Sequence, residues 1–102
     1  MIEVRQTAAF RKWWDGLRDL RARRRIADRI ARVQGGLLGD FKLFDGLMEF
    51  RIDPGPGYRL YAVRQGEVLI ILLCGGDKSS QDRGIAQDGD IARAREMAGK
   101  VE

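Results

Sequence analysis

The stretch from residue 41 to residue 76 constrains the fold most, because apolar and polar residues alternate there between turn signals. Asp45-Gly46, Asp53–Gly57 and Gln65-Gly66 carry the residues that tight turns favour. The predicted strands are Phe41–Phe44, Leu47–Ile52, Tyr58–Arg64 and Val68–Cys74. The last is a continuous apolar run, which predicts a strand buried on both faces and stopped by Gly75-Gly76. Together they predict a mostly antiparallel sheet.

Helices are predicted on either side of these strands. Ile2–Arg5 alternates as a short first strand, and Thr7 is a suitable N-cap for a helix. That helix places four apolar residues on one face, namely Phe10, Trp13, Trp14 and Leu17. A break at Asp15-Gly16 and Asp19 precedes a second helix, Leu20–Gln34, which Gly35-Gly36 ends. A C-terminal helix carries Ile91, Ala94 and Ala98. The order β-α-α-β-β-β-β-α predicts an α+β fold of two layers in one domain, residues 1–102.

The charge is uneven and comes mostly from arginine. The net charge is +4, and residues 11–32 alone hold nine basic and three acidic side chains, a net charge of +6. A one-sided basic field favours an anionic partner such as nucleic acid, the ribosome or an acidic protein. The chain has no histidine, which excludes zinc sites with histidine ligands and Ser-His triads.

The expected location is the cytoplasm. No segment approaches 18 consecutive apolar residues, and the N-terminal residues lack the pattern of a secretory signal. The lone Cys74 cannot form an internal disulfide. We therefore expect no membrane association, and no metal or other cofactor.

Three runs of residues carry a family resemblance: GDFKLFDGLMEFRI at 39–52, GPGYRLYAV at 55–63 and LLCGGDKSSQ at 72–81. Their order and spacing resemble the RelE/ParE superfamily of type II toxin–antitoxin toxins, in its HigB-like (phage Gp49-like) addiction module killer branch. The resemblance spans residues 10 to 98. It implies two N-terminal helices packed on a small twisted sheet. It also implies an endoribonuclease that cuts mRNA in the ribosomal A site and is held in a complex by a cognate antitoxin, often a helix-turn-helix protein.

The sequence departs from this family after Gln81. There the family's Gly-Gly-Asp-Lys-x-x-Gln segment runs almost directly into Asp-Ile-x-x-Ala, whereas here DRGIAQDG precedes Asp90. About six extra residues either lengthen the loop before the last helix or shift the point where that helix starts.

Metal-independent RNA cleavage uses the 2′-hydroxyl as nucleophile, and needs a base, an acid and stabilisation of the charged phosphorane. Without histidine, the base must be Lys, Asp, Glu or Tyr with a shifted pKa, or a ribosomal group. Arginine guanidinium groups can hold the scissile phosphate through pairs of hydrogen bonds. Arg51 and Arg59 lie on neighbouring predicted strands and match arginines of the family, so they are the first catalytic candidates. The alternative for Arg51 is a surface ion pair with Glu49 or Asp53.

Further candidates surround this pair. Lys42 is a candidate hydrogen-bond donor to the phosphate, or a candidate base. Lys78 is a further catalytic candidate, with a loop lysine paired to Asp77 as its alternative. Glu49 is predicted to orient the two arginines. The candidates for RNA binding are Gln81, Tyr61, Arg21, Arg24 and Arg25. Tyr61 would stack on a base, with half-buried core as its alternative.

Other readings remain open. The superfamily includes inhibitors that bind DNA gyrase without RNA chemistry, and the missing histidine fits that class as well. An inactive remnant that only binds antitoxin is a third hypothesis, favoured by the extra residues after Gln81. The basic second helix would bind ribosomal RNA or an acidic antitoxin, or form a solvated face with ion pairs such as Arg24–Asp28.

Overall fold

The computed structural model describes residues 1–44, 46–52, 57–77 and 83–101. The elements in chain order are β1 Glu3–Gln6, α1 Ala8–Gly16, α2 Leu20–Gln34, β2 Phe41–Phe44, β3 Leu47–Ile52, β4 Tyr58–Gln65, β5 Leu69–Asp77 and α3 Arg83–Val101. This is the predicted element order. Within these ranges, no helix is both long enough and apolar enough to cross a membrane.

The five strands form one mixed sheet in the order β1-β5-β4-β3-β2. β1 pairs with β5 in parallel, and the other three pairs are antiparallel. Gly46 and Gly66 adopt φ values of 78° and 65°, which suits the tight hairpin turns predicted at both places. The α+β class and the mostly antiparallel sheet are therefore confirmed.

Side-chain caps fix the start of both N-terminal helices. The Thr7 hydroxyl accepts a hydrogen bond from the Phe10 amide at 3.1 Å and donates one to the Leu73 carbonyl at 2.8 Å. The first cap thus also ties α1 to β5. Asp19 accepts from the amides of Arg21 and Ala22 at 3.0 and 3.2 Å. Capping by these residue types stabilises a helix by about 1 kcal/mol. The predicted break before α2 is present at Asp19, but Asp15 and Gly16 still belong to α1.

Helices cover both faces of the sheet, so the prediction of two layers was wrong. On one face, α1 and α2 bury Phe10 and Ile26 against Phe50, Leu60 and other strand residues. On the other face, α3 buries Ala94 in a second cluster with five strand residues, namely Leu47, Tyr61, Val63, Leu73 and Cys74. Because β3, β4 and β5 are apolar on both faces, each face needs a cover, and α3 provides the second one.

The interior strand β5 continues through the two glycines that were expected to stop it. Gly75 pairs with Leu60, and Gly76 pairs with Arg59, so both remain part of the ladder with β4. Because glycine has no side chain, two groups can pack closely on these positions: the Trp13 ring lies against Gly75, and the Asp90 carboxylate lies against Gly76. The start of the strand also differs, since it begins at Leu69 and leaves Val68 exposed.

The extra residues after Gln81 extend the last helix. α3 begins at Arg83, well before Asp90. Of the two expectations, a longer loop or a shifted helix start, the shifted start applies.

Replacing Gly75 with alanine is expected to lower the free energy of unfolding by about 1–3 kcal/mol, the usual range for overpacking. A methyl group there would lie 2.5 Å from Trp13 Cε3 and 2.6 Å from Cδ2. The indole cannot easily withdraw, because its ring also packs against Phe10 and Tyr58, with centroids 5.7 and 6.4 Å away. Urea denaturation measures the change.

The matched control is Gly16→Ala at the end of α1. No atom outside its immediate neighbourhood lies within 4 Å of the added methyl group. The control should therefore be as stable as the unmodified chain, or slightly more stable. Equal stability of the Gly75 and Gly16 variants would contradict the close packing of Trp13.

Candidate active site

The strand register gathers five of the predicted site residues on one sheet face. Lys42 lies opposite Glu49, and Glu49 lies opposite Tyr61. One step further along the same strands, Arg51 lies opposite Arg59. Directly opposed residues share a face of the sheet, so these side chains form two adjacent rows. The ladder between β4 and β5 shifts register just after Tyr61.

A buried carboxylate holds the two arginines. Glu49 is 1% exposed. Its Oε1 accepts a hydrogen bond from Arg51 Nε at 3.3 Å, and its Oε2 lies 3.7 Å from Arg59 Nε. One negative charge between two positive ones leaves this part of the face cationic, which suits an anionic ligand. Glu49 thus contacts both arginines, and its pairing with Arg51 is the ion pair that the sequence analysis gave as the alternative for that residue.

One buried polar atom of this network, Arg59 Nε, lacks a hydrogen-bond partner among the described residues. Buried polar atoms in native proteins are nearly always hydrogen-bonded, and exceptions concentrate at functional sites. Arg59 Nε is too far from Glu49 for a hydrogen bond, so that contact is an ion pair only. Arg59 Nε therefore retains donor capacity within the network, whereas the Tyr61 hydroxyl interacts with the Glu49 carboxylate.

Burial raises the pKa of the Tyr61 hydroxyl well above its usual range, and the nearby Glu49 and Asp90 carboxylates raise this pKa further, while Arg59 opposes them. The phenol therefore stays protonated at neutral pH. It is a hydrogen-bond donor, and it is unsuited to the role of general base. Its burial at 0% exposure also places the ring in the core, against the expectation that it stacks on a base.

Accessibility divides these residues into two groups. Lys42 is exposed, and 48% of the Arg51 side chain is exposed. Arg59 keeps only 10% of its side chain exposed, and Tyr61 packs in the cluster that α3 covers. A ligand approaching this face therefore meets Lys42 and Arg51 first, with Glu49, Arg59 and Tyr61 behind them.

Asp90 of α3 is a member of this site that the sequence reasoning missed. Its carboxylate lies against Gly76, which is the strand neighbour of Arg59, and its charge acts on the Tyr61 hydroxyl. The available signal was Gly76 itself, because a glycine inside a strand often marks a close approach by another group.

The other predicted site residues lie elsewhere. Lys78 and Gln81 fall outside the described residues. Arg21, Arg24 and Arg25 are exposed on α2, which packs on the opposite face of the sheet. In the described part of the chain, no group of three or more acidic, cysteine or histidine side chains could hold a metal ion.

The buried thiol of Cys74, opposite Tyr61 on β5, makes stability depend on pH. Burial raises the pKa of this thiol from 9.0 to about 11, and Asp90 contributes to the rise, while Arg93 opposes it. Above pH 9 the unfolded thiol ionises while the native one keeps its proton. The free energy of unfolding should then fall by up to about 1.4 kcal/mol per pH unit until about pH 11.

The Cys74→Ala variant isolates this contribution. We expect denaturation near pH 8 and near pH 10.5 to show a smaller alkaline loss of stability in the variant than in the unmodified chain. The alkaline loss of stability that remains in the variant includes a contribution from Tyr61, because its raised pKa acts in the same direction. An identical alkaline loss in both proteins would show that Cys74 is not a buried thiol.

The fold and the site define an α+β protein with an arginine–carboxylate network on one sheet face. The chain is similar to a protein of Haemophilus influenzae named "Uncharacterized protein", with 51% identity over 87 residues, which is 84% of this chain and 88% of the relative. It belongs to the family of that Haemophilus protein. No family model matches the chain. No solved structure matches it either.

Proposed function

We propose that this chain is a toxin of a type II toxin–antitoxin module, a HigB-like member of the RelE/ParE superfamily that cuts mRNA on the ribosome. The observation that carries the proposal is the pair Arg51 and Arg59 on adjacent strands, joined by the buried Glu49. A cationic pair fixed by an internal carboxylate is suited to holding a phosphodiester in one orientation.

The positions of the family-like residues also support the proposal. Gly57 immediately precedes β4, where Tyr58 and Arg59 follow, and the Gly75-Gly76 pair lies near the end of β5. These two segments are adjacent, because Arg59 pairs with Gly76. The element order, with two helices before four consecutive strands of the sheet, agrees with the arrangement that the resemblance implies.

In the proposed reaction, the 2′-hydroxyl gives up its proton to a base and attacks the adjacent phosphorus. The bond from phosphorus to the 5′-oxygen of the next nucleotide breaks, a 2′,3′-cyclic phosphate forms, and the leaving 5′-oxygen takes up a proton. Arg51 contacts the phosphate directly and stabilises the added negative charge of the phosphorane. Arg59 and Glu49 act through Arg51, since both are buried behind it, and they are positioning residues. Lys42, exposed on the neighbouring strand, donates to the phosphate. A ribosomal group is the proposed base for the 2′-hydroxyl proton, and Lys78 and Gln81 remain candidates for the reaction.

The proposed partners follow from the charge of the N-terminal helices. Arg21, Arg24 and Arg25 anchor the chain to ribosomal RNA through contacts with phosphates, which need no sequence specificity. A cognate antitoxin, a helix-turn-helix protein in the proposal, neutralises the toxin in a heteromeric complex. The reaction takes place in the cytoplasm and needs no cofactor.

A second candidate function is inhibition of DNA gyrase on the same fold. The specific observation in its favour is that Arg59 and Tyr61 are buried, with α3 over the Tyr61 cluster. Because burial leaves these two side chains little access to a substrate, the face suits a protein that acts by binding as well as it suits an enzyme.

Induced expression in a bacterial host separates the two candidates. Within minutes of induction, an mRNA endonuclease should stop incorporation of labelled methionine while DNA stays intact. A gyrase inhibitor should give double-strand breaks and a DNA-damage response before protein synthesis falls. A DNA-damage response that comes first would overturn the proposed function, and so would normal growth at high expression of the folded chain.

A further inference from the structure

Three arginines of α2 converge on a small pocket that lies apart from the candidate active site. The pocket has a volume of about 150 Å³ and is lined by Arg25, Asp28, Arg29, Arg32 and Ile52. Residues spaced by three and four lie on one side of a helix, so the four α2 side chains form one stripe. The pocket sits where this stripe meets the end of β3, on the face of the sheet opposite to Glu49.

Arg29 is fixed in this pocket by the main chain. Its Nε donates to the Leu38 carbonyl at 3.0 Å, its Nη1 donates to the Arg51 carbonyl at 2.9 Å, and its Nη2 donates to the Asp40 carbonyl. Gly39 makes room for it, because a Cβ there would lie 2.6 Å from Arg29 Nε. Three of the five guanidinium N–H groups are used in this way, which leaves two donors in a fixed direction.

The positive charge of this pocket is only partly compensated. Burial lowers the pKa of Arg29, Asp40 opposes this effect, and the like charge of Arg32 adds to it. Arg25 and Arg32 are exposed, and neither side chain makes an ion pair or hydrogen bond with the described residues. Asp28 supplies the single carboxylate of the lining. A bound anion would relieve the repulsion between Arg29 and Arg32.

We propose that the pocket of Arg25, Arg29 and Arg32 binds a phosphate group of the RNA backbone. Guanidinium groups that approach one point from several positions match the oxygens of a phosphate, and each can donate two parallel hydrogen bonds. The choice of RNA as the source of the phosphate rests on the proposed function. The site itself is separate from the cleavage chemistry, because it requires no reaction at Arg51.

The test measures binding of a fluorescein-labelled single-stranded uridine oligonucleotide by anisotropy, without ribosomes and across a range of salt concentrations. The double variant Arg25→Gln/Arg32→Gln should weaken binding by about 10- to 100-fold at low salt. It should also reduce the slope of log K against log salt by about 0.7, since the pocket holds one phosphate and each phosphate contact on a single strand contributes about 0.7. Asp28→Asn should strengthen binding.

The control is Arg5→Gln/Arg64→Gln, which removes the same charge from exposed strand positions and should change binding by less than about threefold. Equal weakening of binding by both double variants would overturn the proposal that the pocket binds a phosphate. Unchanged binding by the Arg25/Arg32 variant would overturn it as well. Unlabelled RNA should compete more strongly than inorganic phosphate or polyglutamate of equal charge. Equally strong competition by either anion would overturn the proposal that RNA is the ligand. Cleavage is not measured, so a failed endonuclease assay leaves this result intact.

Discussion

Replacing Glu49 with glutamine is expected to lower the free energy of unfolding by about 3–5 kcal/mol, the usual cost of leaving a buried charge without its partner. Glu49 is 1% exposed and lies 3.7 Å from Arg59, whose side chain is only 10% exposed. Glutamine has almost the same shape, so no cavity forms. The change removes the negative charge that compensates the buried guanidinium.

Two comparisons show that the loss comes from the buried pair. Glu67→Gln, in the exposed turn before β5, makes the same charge change and should cost less than about 0.5 kcal/mol. Arg59→Met should also destabilise the chain, but the double variant should cost about 1–3 kcal/mol less than the sum of the two single variants. A Glu49→Gln protein as stable as Glu67→Gln would contradict the arginine–carboxylate network.

Replacing Arg51 with alanine is expected to reduce mRNA cleavage by about 100- to 1000-fold, the effect of removing one donor that stabilises transition-state charge. The fold should survive, because nearly half of this side chain is exposed and the buried Glu49 keeps its ion pair with Arg59. The main-chain contacts of Arg51 with Asp40 and Arg29 remain. Loss of cleavage with retained stability therefore separates Arg51 from the positioning residue Glu49.

The matched control for Arg51 is Arg64→Ala. Arg64 is exposed near the other end of β4, where it donates to the Glu67 carbonyl, and it lies outside the candidate site. Its replacement removes the same charge and should leave cleavage within about twofold of the unmodified chain. Equal activity of the Arg51 and Arg64 variants would remove Arg51 from the active site.

The strands and their shared face were predictable because side chains alternate with a period of two. Once Leu47–Ile52 and Tyr58–Arg64 are paired through a short turn, the register follows from the apolar pattern. That register brings Glu49, Arg51 and Arg59 together. Local chemistry predicted the cap Thr7 equally well, since a cap depends on residues close in the sequence. Asp19 was expected only as part of a break, and the structure shows that it is the N-cap of α2.

The second helical layer was not predictable in the same way. α3 covers the sheet with small or partly buried residues such as Ala94 and Ile91, so its apolar pattern does not say which face it joins. The contact of Asp90 with Gly76 joins residues far apart in sequence. Gly76 therefore appeared to be a strand end, although the structure uses it to admit a carboxylate beside the site.

A reconstituted translation system tests most directly the proposal that this sheet face cuts mRNA on the ribosome. A defined mRNA is translated with equimolar purified protein, and new 5′ ends are mapped by primer extension. We expect cleavage within the A-site codon by the unmodified chain and by Arg64→Ala, little or none with Arg51→Ala, and none without ribosomes. Intact A-site mRNA in the presence of the folded, unmodified chain would contradict it.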